Sequence, residues 1–61
     1  MEWYTATRIV REVKGFDFYQ ARELITIINK EKKDKGYYIP NMYQVPKEWL
    51  EQRLGFKIKN A

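Results

Sequence analysis

Cysteine and histidine are both absent from the 61 residues. Without cysteine there is no disulfide to staple a small fold, and no thiolate for a metal site or a redox step. Without histidine the commonest general base and the commonest imidazole ligand are gone as well. What remains for acid–base or metal chemistry is eight carboxylates: Glu2, Glu12, Asp17, Glu23, Glu31, Asp34, Glu48 and Glu51. They stand singly among lysines and arginines, and so short a chain has little room for a concave site. The expectation is a protein that binds rather than catalyses, with no catalytic residue, no metal and no cofactor. Long apolar runs are missing too, which argues against a membrane span. The opening Met1-Glu2-Trp3-Tyr4 lacks the basic-then-apolar pattern of a signal peptide, so the expected setting is the cytoplasm, without a membrane partner.

Aromatic side chains are plentiful: three Phe, five Tyr and two Trp. They bury the most area per residue, which suits a core built from few positions. The length allows one domain over residues 1–61, with 1–4 and 56–61 as flanking segments and Phe56 and Ile58 folding back onto it. Twelve Lys and Arg against eight Asp and Glu leave a net charge of +4. That excess favours a polyanionic partner.

Only three glycines and two prolines punctuate the chain. Thr5 is a candidate N-cap for a first helix over 6–14, with Ala6, Ile9, Val10 and Val13 as its apolar stripe and Gly15 as its end. Asp17 followed three residues on by Gln20 is a variant capping box. It opens a second helix over 18–35, whose buried stripe is Phe18, Ala21, Leu24, Ile25 and Ile28 and which stops at Gly36. The β-prone runs Tyr37–Ile39 and Met42–Val45, separated by Pro40-Asn41, predict a hairpin over 37–45. Pro46 suits the first position of a third helix over 46–54, with Trp49, Leu50 and Leu54 inward and Gly55 beyond. The expected class is therefore mostly α with a small β-hairpin (α+β). Its order of elements is that of a winged helix-turn-helix.

Two helices joined by a tight, glycine-containing turn are the arrangement in which the second helix enters the DNA major groove. With the apolar stripe inward, the second helix turns Tyr19, Gln20, Arg22, Glu23, Thr26, Asn29, Lys30 and Lys33 outward. Gln20 and Arg22 are of the types that bond adenine and guanine edges in bidentate fashion. Tyr19, Lys14, Lys30 and Lys33 are placed to hold backbone phosphates, and Asn41, Tyr43 and Gln44 at the hairpin could add neutral hydrogen bonds. The run Lys30-Glu31-Lys32-Lys33-Asp34-Lys35 is interrupted by its acids and also reads as a solvated helix end.

The residues Tyr4-Thr5-Ala6, Gln20-Ala21-Arg22-Glu23-Leu24-Ile25, Lys35-Gly36-Tyr37 and Val45-Pro46 ahead of Leu54-Gly55 give the chain a family likeness over roughly 5–55. It resembles the excisionase-type winged helix, related to the MerR-like DNA-binding domains. It is also similar to short integrase-associated proteins of mobile elements and prophages of Gram-positive bacteria. The resemblance implies a protein that binds and bends DNA and contacts an integrase or recombinase, as a recombination directionality factor or an accessory transcriptional regulator. It carries the recognition-helix role onto Tyr19, Gln20, Arg22, Glu23 and Thr26. The chain departs from that pattern in a longer second helix and in a wing without arginines. The alternative is a protein–protein interaction module that binds a host or element-encoded protein through an aromatic surface. A homodimer, or a cooperative oligomer on DNA, is compatible with both.

Overall fold

The structure, a computed structural model, describes residues 2–58. In chain order the elements are β1 (Trp3–Thr5), α1 (Ala6–Glu12), α2 (Phe18–Asp34), β2 (Gln44–Pro46) and α3 (Lys47–Leu54). Three helices and a two-stranded antiparallel sheet give the expected mostly helical α+β class.

The starts of α1 and α2 follow from their caps. The Thr5 hydroxyl accepts the Arg8 N–H at 3.3 Å. At α2 the capping box is complete: Asp17 Oδ1 accepts the Gln20 N–H at 2.7 Å, and Gln20 Oε1 accepts the Asp17 N–H at 3.1 Å. α1 stops at Glu12, two residues short of the expected end, because Val13 turns to extended backbone and drops its side chain into the core. α2 ends in a Schellman motif. The Tyr37 N–H reaches back to the Lys32 carbonyl and the Gly36 N–H to that of Lys33, both at 3.0 Å. Gly36 has φ +93°, the left-handed conformation this cap requires. α3 begins at Lys47 rather than Pro46, since Pro46 is still the last residue of β2. Its first N–H, that of Lys47, is satisfied by the Glu2 carbonyl at 2.9 Å.

The hairpin expected over 37–45 does not form. Tyr37–Ile39 is not a strand, and β2 pairs instead with the N-terminal β1, in the register Trp3↔Pro46, Tyr4↔Val45, Thr5↔Gln44. Tyr4 and Val45 face one another with no exposure, so this pairing seals the core, which a pairing of surface tyrosines would not do. Tyr37 is held elsewhere, edge-on to Trp49 at 5.5 Å between centroids, with the Lys32 ammonium 5.3 and 5.2 Å from the two rings. Asn41 opens the turn into β2, rather than sharing its centre with Pro40: its Oδ1 accepts the Tyr43 N–H at 2.8 Å.

The core comprises Tyr4, Ala6, Ile9, Val13, Ala21, Ile25, Ile28, Val45, Leu50 and Ile58, with Phe16, Leu24, Trp49 and Leu54 packed against it. Tyr4 thus belongs to the core rather than to a flanking segment. Ile58 folds back as expected, its N–H donating to Glu51 Oε2 at 2.8 Å, whereas Phe56 stays half exposed. Val10 and Phe18, expected inside, are also partly exposed.

Asn29 is the main correction to the outer face of α2. It is fully buried, and its Nδ2 donates to the carbonyls of Met42 and Gln44, both at 3.2 Å. Its position explains this: four residues beyond Ile25 and eight beyond Ala21, it continues their row into the core.

Candidate nucleic-acid interface

Two features set the electrostatics of the surface. The first is a network around β1. The Tyr4 hydroxyl donates to Glu12 Oε1 at 2.7 Å, and Arg8 Nε donates to Glu12 Oε2 at 2.7 Å. Arg8 also bonds Glu2 and lies 4.2 Å over the Tyr4 ring, and Lys47 pairs with Glu2 at 3.5 Å. The Arg8 hydrogen bond holds the Glu12 carboxyl below its ordinary range, with Tyr4 adding to the effect, and the same guanidinium lowers Glu2. Burial, then the bond to Glu12, pushes the Tyr4 hydroxyl up to about 12. At the other end Arg53 of α3 holds Glu31 through both carboxylate oxygens at 2.9 Å.

The second feature is the cations left over. Among the described residues Arg11, Lys14, Arg22, Lys30, Lys32, Lys33, Lys35 and Lys57 make no ion pair. Four of these belong to α2, of which Lys32 lies against the Tyr37 and Trp49 rings. At about 100° per residue, Arg22, Thr26, Lys33, Tyr19 and Lys30 share one side of that helix, with Glu23 at its margin. All are exposed, Tyr19 at 81 %. The Thr26 hydroxyl donates to the Arg22 carbonyl at 3.0 Å, which leaves its lone pairs outward.

Arg22 is the best positioned of the set. Its guanidinium carbon lies 5.9 Å from the Phe18 ring centroid and 5.8 Å from that of Tyr43. The two rings come from α2 and from the loop before β2, so both elements contribute an aromatic face to the same cation. Beside it opens a groove of about 660 Å³ lined by Thr5, Ala6, Thr7, Phe18, Arg22, Ile25, Thr26, Met42 and Tyr43.

Of the residues expected to act together, the structure unites Arg22, Thr26 and Tyr43 at this groove and places Tyr19, Lys30 and Lys33 along the same side of α2. Gln20 is separated from Arg22 by about 200° around the helix, and its side chain serves the capping box. Lys14 is exposed in the turn between α1 and α2. Asn41 is occupied by its own turn, and Gln44 is half-buried in β2 opposite Thr5. Phe18, Met42 and Thr7 were not expected at the site. The spacing of Phe18 and Arg22, one helical turn apart, was the available signal.

Among the described residues no group of carboxylates could hold a metal ion, and no helix is long and apolar enough to cross a membrane. No protein-family model, no curated protein and no solved structure matches this chain.

Proposed function

We propose that the protein binds double-stranded DNA, with α1 and α2 acting as a helix-turn-helix and the outer side of α2 entering the major groove. The observation that carries this reading is the sorting of charge. Glu2, Glu12 and Glu31 are paired with Arg8, Lys47 and Arg53, while Arg22, Lys30 and Lys33 stand unpaired along one side of α2, with the unpaired Glu23 at its margin. A helix of 17 residues is about 26 Å long, enough to cross a groove about 12 Å wide and meet phosphates beyond its edges. In this arrangement Arg22 reads a guanine edge, Thr26 and Tyr19 contact bases or sugar, and Lys30 and Lys33 hold phosphates. The loop 37–43 replaces a wing. It carries no cation, so any contact it makes is neutral.

With the family likeness, this reading extends to a recombination directionality factor or accessory regulator of a mobile element or prophage, working beside a recombinase. The test is an amide-resolved titration with duplex DNA. Shifts along Tyr19, Arg22, Thr26, Lys30 and Lys33 support it, and shifts centred on α3 contradict it. A second reading, docking of a partner protein, is favoured by the aromatic exposure around the groove, with Phe18 at 47 % and Tyr43 at 70 %.

A further inference from the structure

We infer that the groove between α1, α2 and the loop before β2 is a binding site for a small amphipathic organic anion, a carboxylate or sulfonate carried on an apolar body. Its volume of about 660 Å³ lies within the range of small-ligand sites. Phe18, Ile25 and Met42 supply apolar walls, and Arg22 is the single charge in the lining. That charge has no carboxylate partner among the described residues, and the rings of Phe18 and Tyr43 lie 5.9 and 5.8 Å from it. A guanidinium steadied in this way offers its N–H edge to a planar or tetrahedral oxyanion. Thr7 adds a hydroxyl without a hydrogen-bond partner among the described residues, whereas those of Thr5 and Thr26 are engaged in α1 and α2.

The charge of the lining selects the occupant. A neutral apolar ligand would cover Arg22 without replacing its water, and a cation would be repelled by it. The lining comes from the first turn of α1, from α2 and from the loop, and a space of about 660 Å³ suits a compact molecule better than a long polypeptide segment. Occupation would withdraw Arg22 from DNA, so the ligand should weaken DNA binding. This consequence rests on the proposed function, whereas the site itself does not.

The probe is 8-anilinonaphthalene-1-sulfonate, with its uncharged parent N-phenyl-1-naphthylamine as control. Both are titrated by fluorescence against the wild type and Arg22→Met, whose folding is checked by far-UV circular dichroism. The loss of one charge-assisted contact should weaken the sulfonate by about tenfold and the neutral probe by less than about twofold. Phe18→Thr should weaken both. Amide shifts with the sulfonate should centre on Thr7, Phe18, Met42 and Tyr43. No binding, equal loss of both probes in Arg22→Met, or shifts centred on Phe56 would overturn the inference. Tighter binding of a blocked leucine–glutamate peptide than of the sulfonate would overturn the choice of occupant. A wild type that binds the sulfonate but not DNA would sink the DNA reading and leave this one standing.

Discussion

The Asn29 amide nitrogen donates to the Gln44 carbonyl at 3.2 Å, which ties the middle of α2 to the start of β2. The same nitrogen bonds the Met42 carbonyl, and two carbonyl acceptors fix which end of the amide faces the loop. Asn29 Oδ1 is buried and finds no hydrogen-bond partner among the described residues. Asn29→Asp keeps the shape, removes the donors and leaves two carbonyls facing an acceptor. We expect a loss of about 2–3 kcal/mol in urea unfolding and a melting temperature lower by about 10 °C or more. A change under about 0.5 kcal/mol, the scatter of neutral surface substitutions, would show that this tether is idle.

Asn29 also marks what was legible in the sequence. Its polarity puts it on the outward face in the sequence, yet its spacing from Ala21 and Ile25 carries it inside, where two loop carbonyls accept its donors. The caps at Thr5 and Asp17 were readable because a helix start depends on a few adjacent residues. The partner of β2 was not readable, because nothing local to Gln44–Pro46 names Trp3–Thr5 some forty residues earlier. At the site, the exposed cations of α2 followed from periodicity. The setting of Arg22 between Phe18 and Tyr43 needed the course of the loop, which depends on Asn29 and on the capture of Tyr37 by Trp49.

The pH dependence should have two limbs. Glu12 and Glu2 have lowered pKa values in the folded state, so their contribution is present above the unfolded value near 4.5 and is lost as pH falls through the folded values. Tyr4 is raised to about 12 from 10.0, so its contribution is complete below pH 10 and is lost between there and about 12. Thermal melts across pH should show both limbs. Glu12→Gln should flatten the acid limb. Tyr4→Phe should remove the alkaline one and abolish a tyrosinate absorbance step near pH 12.

Gly36→Ala tests the end of α2. No neighbouring atom would obstruct the added methyl group, so the cost is conformational, set by φ +93°. We expect a loss of about 1 kcal/mol, with the far-UV spectrum otherwise retained. Gly36→Asn should lose less, because asparagine tolerates the left-handed region better.

Gln20 and Arg22 should separate by experiment as they do in space. Gln20→Ala breaks half of the capping box and should lower stability by about 0.5–1 kcal/mol while leaving DNA affinity within about twofold. Arg22→Ala should leave stability within about 0.5 kcal/mol and weaken a specific duplex by about 1–3 kcal/mol. Paired urea melts and anisotropy titrations of the two variants check this, and the reverse assignment would mean that the groove-facing side of α2 is not the reading side.

The most direct test of DNA binding through α2 is the salt dependence of duplex affinity, measured by fluorescence anisotropy for the wild type, Lys30→Ala and Lys33→Ala. Each neutralised phosphate contributes about −0.9 to the slope of log K against log salt. Binding through α2 requires a steep negative slope for the wild type, made shallower by about one unit in each variant. Affinity that is flat from low to high salt, or a slope that neither lysine changes, would contradict it.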